Sequence, residues 1–84
     1  MPEEEYSERI KAIGYKIKEL RIKAGYTSYE KFAIENDFES RQYWRLENGQ
    51  NLTIKTLMKI TDAHKITLEE FFNGFTSFVK SKKG

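Results

Sequence analysis

Tyr6, Ile10, Ile13, Ile17, Leu20 and Ala24 recur at intervals of three and four along the N-terminal part of the chain. That spacing puts all six side chains on one face of a helix of about five turns. Its beginning is acidic, Lys16, Lys18, Arg21 and Lys23 crowd its end, and Gly25 follows as a C-terminal cap. Each of these choices favours the helix dipole or closes the last turn. Period-two alternation is nearly absent from the remainder, so strands are not expected and the chain reads as all-α.

Four shorter helices follow from local signals. Thr27 or Ser28 can cap a second helix whose inward face holds Tyr29, Phe32 and Ala33, with Asn36-Asp37 ending it. Ser40 is expected to cap a third, stopped by Gly49, and Thr53 a fourth that carries Ile54, Leu57, Met58 and Ile60. Thr67-Leu68-Glu69-Glu70 is a capping box opening a fifth. Leu68, Phe71, Phe72, Phe75, Phe78 and Val79 give that fifth helix a broad aromatic stripe. Leu68, Phe71 and Phe72 are expected to finish the core, while Phe75, Phe78 and Val79 either form a self-association surface, the preferred reading, or pack across the first helix.

With 84 residues and one proline, a single domain with one modest core is expected. No cysteine is present, which excludes a zinc finger and a disulfide framework and fits a reducing compartment. No apolar run reaches the roughly 18–20 residues of a bilayer crossing, and Met1-Pro2-Glu3-Glu4-Glu5 is acidic where a signal peptide is basic. A cytoplasmic protein with no membrane partner is therefore expected. Net charge is only +2, but it is segregated: residues 40–60 hold Arg41, Arg45, Lys55 and Lys59 against Glu47, whereas residues 3–8 hold Glu3, Glu4, Glu5 and Glu8 without a cation.

The stretch SRQYWRLENGQ, residues 40–50, places two arginines around the chain's one tryptophan. At 100° per residue, Tyr43, Leu46 and Glu47 fall on one side of the third helix and Arg41, Trp44, Arg45 and Asn48 on the other. A short helix entered from another short helix by a turn of about four residues, Asn36 to Glu39, is the plan of a helix-turn-helix, whose second member lies in the DNA major groove. Arginine suits that position because its planar fork meets guanine O6 and N7, or a phosphate, with two hydrogen bonds. Glu47 on the inward side needs a partner, and Arg21, at the edge of the first helix's apolar face, is the expected one.

Over about Ile13 to Phe72, through IGYKIKELRIKAG, EKFA, YWRLENG and TIKTLMKITDAHKITLEEFF, the chain resembles the helix-turn-helix domain of the lambdoid phage repressors, the Cro proteins and many bacterial regulators. The resemblance implies a five-helix lambda-repressor-like DNA-binding domain, with residues 73–84 an extension carrying an aromatic C-terminal helix. It also implies that Arg21 pairs with Glu47, that Ser40, Arg41 and Arg45 face base edges, and that Ser28 and Asn48 approach phosphates. Thr27, Ser28 and Tyr29 compete for the phosphate, because Gly25 to Ala33 spans one residue more than is usual. Lys55 is expected to contact phosphate without regard to sequence. Asp37 replaces the turn's common glycine, where a left-handed backbone is needed, and Glu39 stands where a small polar cap is usual. Trp44 departs from a position that is often small and polar: either it packs on sugar-phosphate and thymine methyl groups, or the docking angle differs. His64 falls where an apolar residue is usual and is expected as a core histidine with one satisfied nitrogen, in preference to a pH sensor.

The function expected from these readings is a sequence-specific, double-stranded DNA-binding regulator of transcription, acting as a homodimer on a partly palindromic operator. A rival is an antitoxin or adaptor whose aromatic C-terminal helix binds a protein partner such as a toxin. One histidine, no cysteine and no glycine-rich phosphate loop give no basis for a catalytic residue, a metal or a cofactor.

Overall fold

Proline at the first helical position loses no intrahelical hydrogen bond, and α1 begins there, running Pro2–Lys23. The computed structural model of the chain describes residues 2–73. At the far end of α1, Gly25 adopts φ +97°. Its N–H donates to the Ile22 carbonyl and the Tyr26 N–H to the Arg21 carbonyl, so two carbonyls the helix leaves open are satisfied in a Schellman closure. The apolar face of α1 is longer than the body it packs on. Ile17 is fully buried and Ile13 and Leu20 are partly so, whereas Tyr6 is 55% exposed, Ile10 41%, and Ala24 is also exposed. Periodicity marks the side of a helix that can be covered; how far neighbours extend along it decides what is covered.

Helix α2 spans Tyr29–Glu35, and Ser28 is its cap, with Oγ accepting the Lys31 N–H at 3.2 Å. Asp37 takes the left-handed backbone expected of the turn, φ 64°, and Phe38 N–H then reaches back to the Ala33 carbonyl at 2.8 Å. Helix α3 spans Ser40–Glu47. Its cap is Glu39 and not Ser40: Glu39 is extended and its carboxylate accepts the Gln42 N–H at 2.9 Å. The longer side chain still reaches the amide, and a negative charge at a helix N-terminus is favoured by the dipole. Ser40 is thereby released to stand in the first turn of α3.

Thr53 caps α4, Ile54–His64, in a reciprocal box with Thr56, and Thr67 caps α5, Leu68–Phe71, in a box with Glu70. Helices α1 to α4 all close in the same way, through a left-handed residue: Gly25, Asp37, Gly49 and Lys65. At Asp37 and Lys65 a side chain is carried in a backbone region that L-residues enter at a cost, which the recovered carbonyl bonds offset.

Every helix contributes to one core: Ile17 from α1, Phe32 and Ala33 from α2, Tyr43 and Leu46 from α3, Leu57 and Ile60 from α4 and Phe71 from α5. At its centre the Phe32 ring packs on Tyr43 at 5.1 Å between centroids and edge-on to Tyr26 at the same distance. Ile54 and Met58, expected with Leu57 and Ile60 on one helix, are 65% and 49% exposed, and Thr61 is buried in their place. The described residues form an all-helical domain of five helices, none long and apolar enough to cross a membrane. Phe75, Phe78 and Val79, and with them the expected dimer surface and the aromatic extension of the fifth helix, lie outside the described residues.

Candidate nucleic-acid interface

The two-sided pattern of α3 sets its orientation. Tyr43 and Leu46 are buried against α1 and α2, which turns Arg41, Trp44 and Asn48 outward and leaves Arg45 half-buried at the edge. Trp44 keeps 43% of its surface exposed. Asn48 donates from Nδ2 to the Trp44 carbonyl at 2.8 Å, tying off the last turn while its side chain stays on the open face.

Beneath this face lies the Arg21–Glu47 pair. Arg21 Nε donates to Glu47 Oε2 at 2.6 Å and Nη2 to Oε1 at 3.2 Å, the bidentate geometry in which arginine and carboxylate bind most strongly. Nη1 donates to the Tyr26 carbonyl at 2.8 Å, so one guanidinium fixes α3 to α1 and to the loop after α1. Each side chain is only 6% exposed. The hydrogen bond to Glu47 holds the Arg21 pKa above its ordinary value, outweighing the opposing effect of burial. Tyr43 lies alongside, its hydroxyl buried without a hydrogen-bond partner. Burial first, and the nearby Glu47 carboxylate after it, push its phenol pKa upward.

Two shallow hollows flank α3 and share Tyr29 and Trp44. One is lined by Tyr29, Glu30, Glu39, Ser40, Arg41, Trp44 and Arg45, so the three residues expected at base edges and Trp44 border one depression. The other runs between α1 and α3, lined by Lys11, Tyr15, Lys18, Tyr29, Trp44 and Asn48 with the Arg21–Glu47 pair. Together they place Lys11, Lys18, Arg41 and Arg45 on one surface with three aromatic side chains. Of its acidic groups, the Glu39 carboxylate is engaged in capping and Glu47 is paired, leaving Glu30 at the α2 N-terminus. The surface thus concentrates positive charge in a small part of the chain.

The other expected phosphate contacts are not all gathered here. Ser28 is occupied as the α2 cap and lines neither hollow, whereas Tyr29 lines both. Lys55, exposed near the start of α4, lines neither. Lys59 belongs to a different surface: its ammonium lies 4.9 Å from the Phe38 ring centroid, in a depression shared with Glu35, Asp37 and Asp62. The cationic run of residues 40–60 is therefore divided by the fold. Lys11 and Tyr15 join the surface without having been singled out in the sequence, and Lys18, expected only to favour the dipole of the first helix, joins it too. The available signal was their spacing of four and three, the same stripe that leads on to Arg21.

His64 stacks on Phe32 at 5.1 Å and 13°, and its Nε2 is buried without a partner. Burial lowers its pKa. Among the described residues no group of three or more His, Cys, Asp or Glu could hold a metal ion. No protein-family model matches the chain, and no curated protein or solved structure matches it.

Proposed function

We propose that the chain is a sequence-specific regulator of transcription that binds double-stranded DNA with α3 in the major groove, through a lambda-repressor-like helix-turn-helix. One observation carries the reading. Helix α3 follows α2 by a four-residue turn, is anchored along its inner side by Tyr43, Leu46 and the Arg21–Glu47 pair, and presents Ser40, Arg41, Trp44 and Arg45 together on its outer side. A helix anchored in this way, with Arg41 outward and Arg45 at its edge, suits bidentate recognition of guanine, and the flanking cations suit phosphate neutralisation. As a homodimer the protein would meet two half-sites about one helical turn, roughly 10 base pairs, apart.

Selection of bound duplexes from a random DNA pool tests the reading, because it returns both the half-site and its spacing. A common motif is expected, and Arg41→Ala should weaken it by roughly 1–3 kcal/mol while relaxing preference at one base pair. Failure to enrich any motif would reject sequence-specific binding. An equal loss for every sequence would reject Arg41 as a base reader.

A further inference from the structure

We propose that the hollow between α1 and α3 seats the sugar-phosphate backbone of one DNA strand, with Lys11 and Lys18 at its phosphates and Tyr15 and Trp44 against its sugars. This rests on the DNA-binding reading above and extends the contact surface to a helix outside the α2–α3 pair.

Three observations lead to it. Lys11 and Lys18 are seven residues apart on α1, two helical turns or about 10 Å along the axis. Neither is paired with a carboxylate among the described residues, so both ammonium groups are available. A DNA strand advances roughly 3.4 Å along its axis per phosphate, so two flexible lysine stems at that separation reach phosphates two to four nucleotides apart.

Second, the walls are aromatic as well as basic. Tyr15 is 61% exposed on the α1 side and Trp44 43% exposed on the α3 side, on a surface that the other described residues leave uncovered. Deoxyribose presents an apolar face between charged phosphates, and this alternation matches lysines interleaved with rings. The Arg21–Glu47 pair beneath is internally neutralised, so the net positive charge of the hollow comes from the lysines.

Third, the hollow is continuous with the α3 face, since Trp44 and Tyr29 border both depressions. It opens to solvent, which fits a strand lying against it better than a small molecule enclosed. A strand followed out of the depression beside Arg41 and Arg45 has this second one beside it, across Trp44.

The test uses the full chain and a duplex recovered from the random pool. Affinity is measured against salt for the wild type, for Lys11→Gln/Lys18→Gln, for Tyr15→Ala and for Lys23→Gln, whose side chain lines neither hollow. Each phosphate contact contributes about 0.9 to the slope of log affinity against log salt. The double variant should therefore lose about 1.8 from that slope while keeping the ratio of selected to scrambled affinity, and Lys23→Gln should keep the wild-type slope. Ethylation of individual phosphates should reveal positions that block the wild type and no longer affect the double variant. Tyr15→Ala should weaken every duplex several-fold with the slope unchanged. All three replaced side chains on the hollow are at the surface, and melting curves confirm that each variant is folded. A folded double variant with the wild-type slope and interference pattern would overturn the proposal. So would saturable binding of a nucleoside monophosphate that depends on the two lysines while duplex binding does not. If the wild type binds no duplex, it is the DNA-binding reading itself that fails.

Discussion

Gly14 of α1 lies directly against the backbone at the end of α3: a Cβ on Gly14 would stand 2.6 Å from the Gly49 nitrogen, 2.7 Å from the Glu47 carbonyl oxygen and 2.9 Å from that of Leu46. Gly49 answers from the other side. It sits at φ +75°, and a Cβ there would meet the Ile10 carbonyl oxygen and the Lys11 Cα, both at 3.2 Å. Two glycines thus let α1 and the end of α3 touch backbone to backbone. That contact sets how far apart Lys11 and Tyr15 stand from Trp44 and Asn48, and so the width of the hollow between them.

Gly14→Ala separates local propensity from packing. In an isolated helix the change would add roughly 0.5–1 kcal/mol of stability. Here every atom met by the new methyl is backbone, so α3 must move as a unit, and overpacking of this kind costs about 1–3 kcal/mol. Urea unfolding should show a lower midpoint at unchanged slope. A higher midpoint would mean that the two helices do not meet at Gly14.

The Arg21–Glu47 pair should show strong coupling in a double-mutant cycle. Removing Glu47 alone leaves a guanidinium without its carboxylate, and removing Arg21 alone leaves the carboxylate and the Tyr26 carbonyl without their donor. Loss of one partner of a buried pair costs about 3–5 kcal/mol. Arg21 and Glu47 also border the open hollow, so the cover over them is thin and the low end of that range is expected. Arg21→Met with Glu47→Leu should recover most of the loss, because no charge is then left unpaired. Chemical denaturation of the four proteins measures this, and additive single effects would show that the pair does not act as a unit.

The parts of this fold that were legible in sequence are those encoded by short-range rules. Helix α1 was marked by period, α4 and α5 by the Thr53 and Thr67 caps, and the two sides of α3 by rotation per residue. Arg21 and Glu47, 26 residues apart, were linked because an inward carboxylate on α3 needed a cation and Arg21 stood at the edge of an apolar face. What was not legible depends on where helices cross. Gly14 gave no local sign of a helix contact, since its role lies wholly in what approaches it. Glu39 as a cap contradicts the preference for short polar caps. Lys59 and Arg41 carry like charge in one segment, yet packing sends them to different surfaces. Lys11, Tyr15 and Lys18 share one stripe of α1, and only the position of α3 beside them makes that stripe the wall of a hollow.

His64 should make the domain acid-sensitive in a window above that of ordinary carboxylates. It is the chain's one histidine, and burial lowers its pKa in the folded state. In the unfolded chain it titrates near its ordinary value, about 6.5. Above that value both states are neutral at this position and it adds no pH dependence. As pH falls below about 6.5 the unfolded state takes up a proton that the folded state resists, so stability declines, with a slope of at most about 1.4 kcal/mol per pH unit. The decline stops growing once pH passes the lowered folded value, where both states are protonated. His64→Phe keeps an aromatic ring against Phe32 and removes both the titration and the unpartnered Nε2. Thermal unfolding at pH 7.5 and 5.5 should therefore show a drop in melting temperature for the wild type and a much smaller one for His64→Phe. Equal drops would place the acid sensitivity elsewhere and show that the His64 ring takes up its proton in the folded state as readily as in the unfolded one.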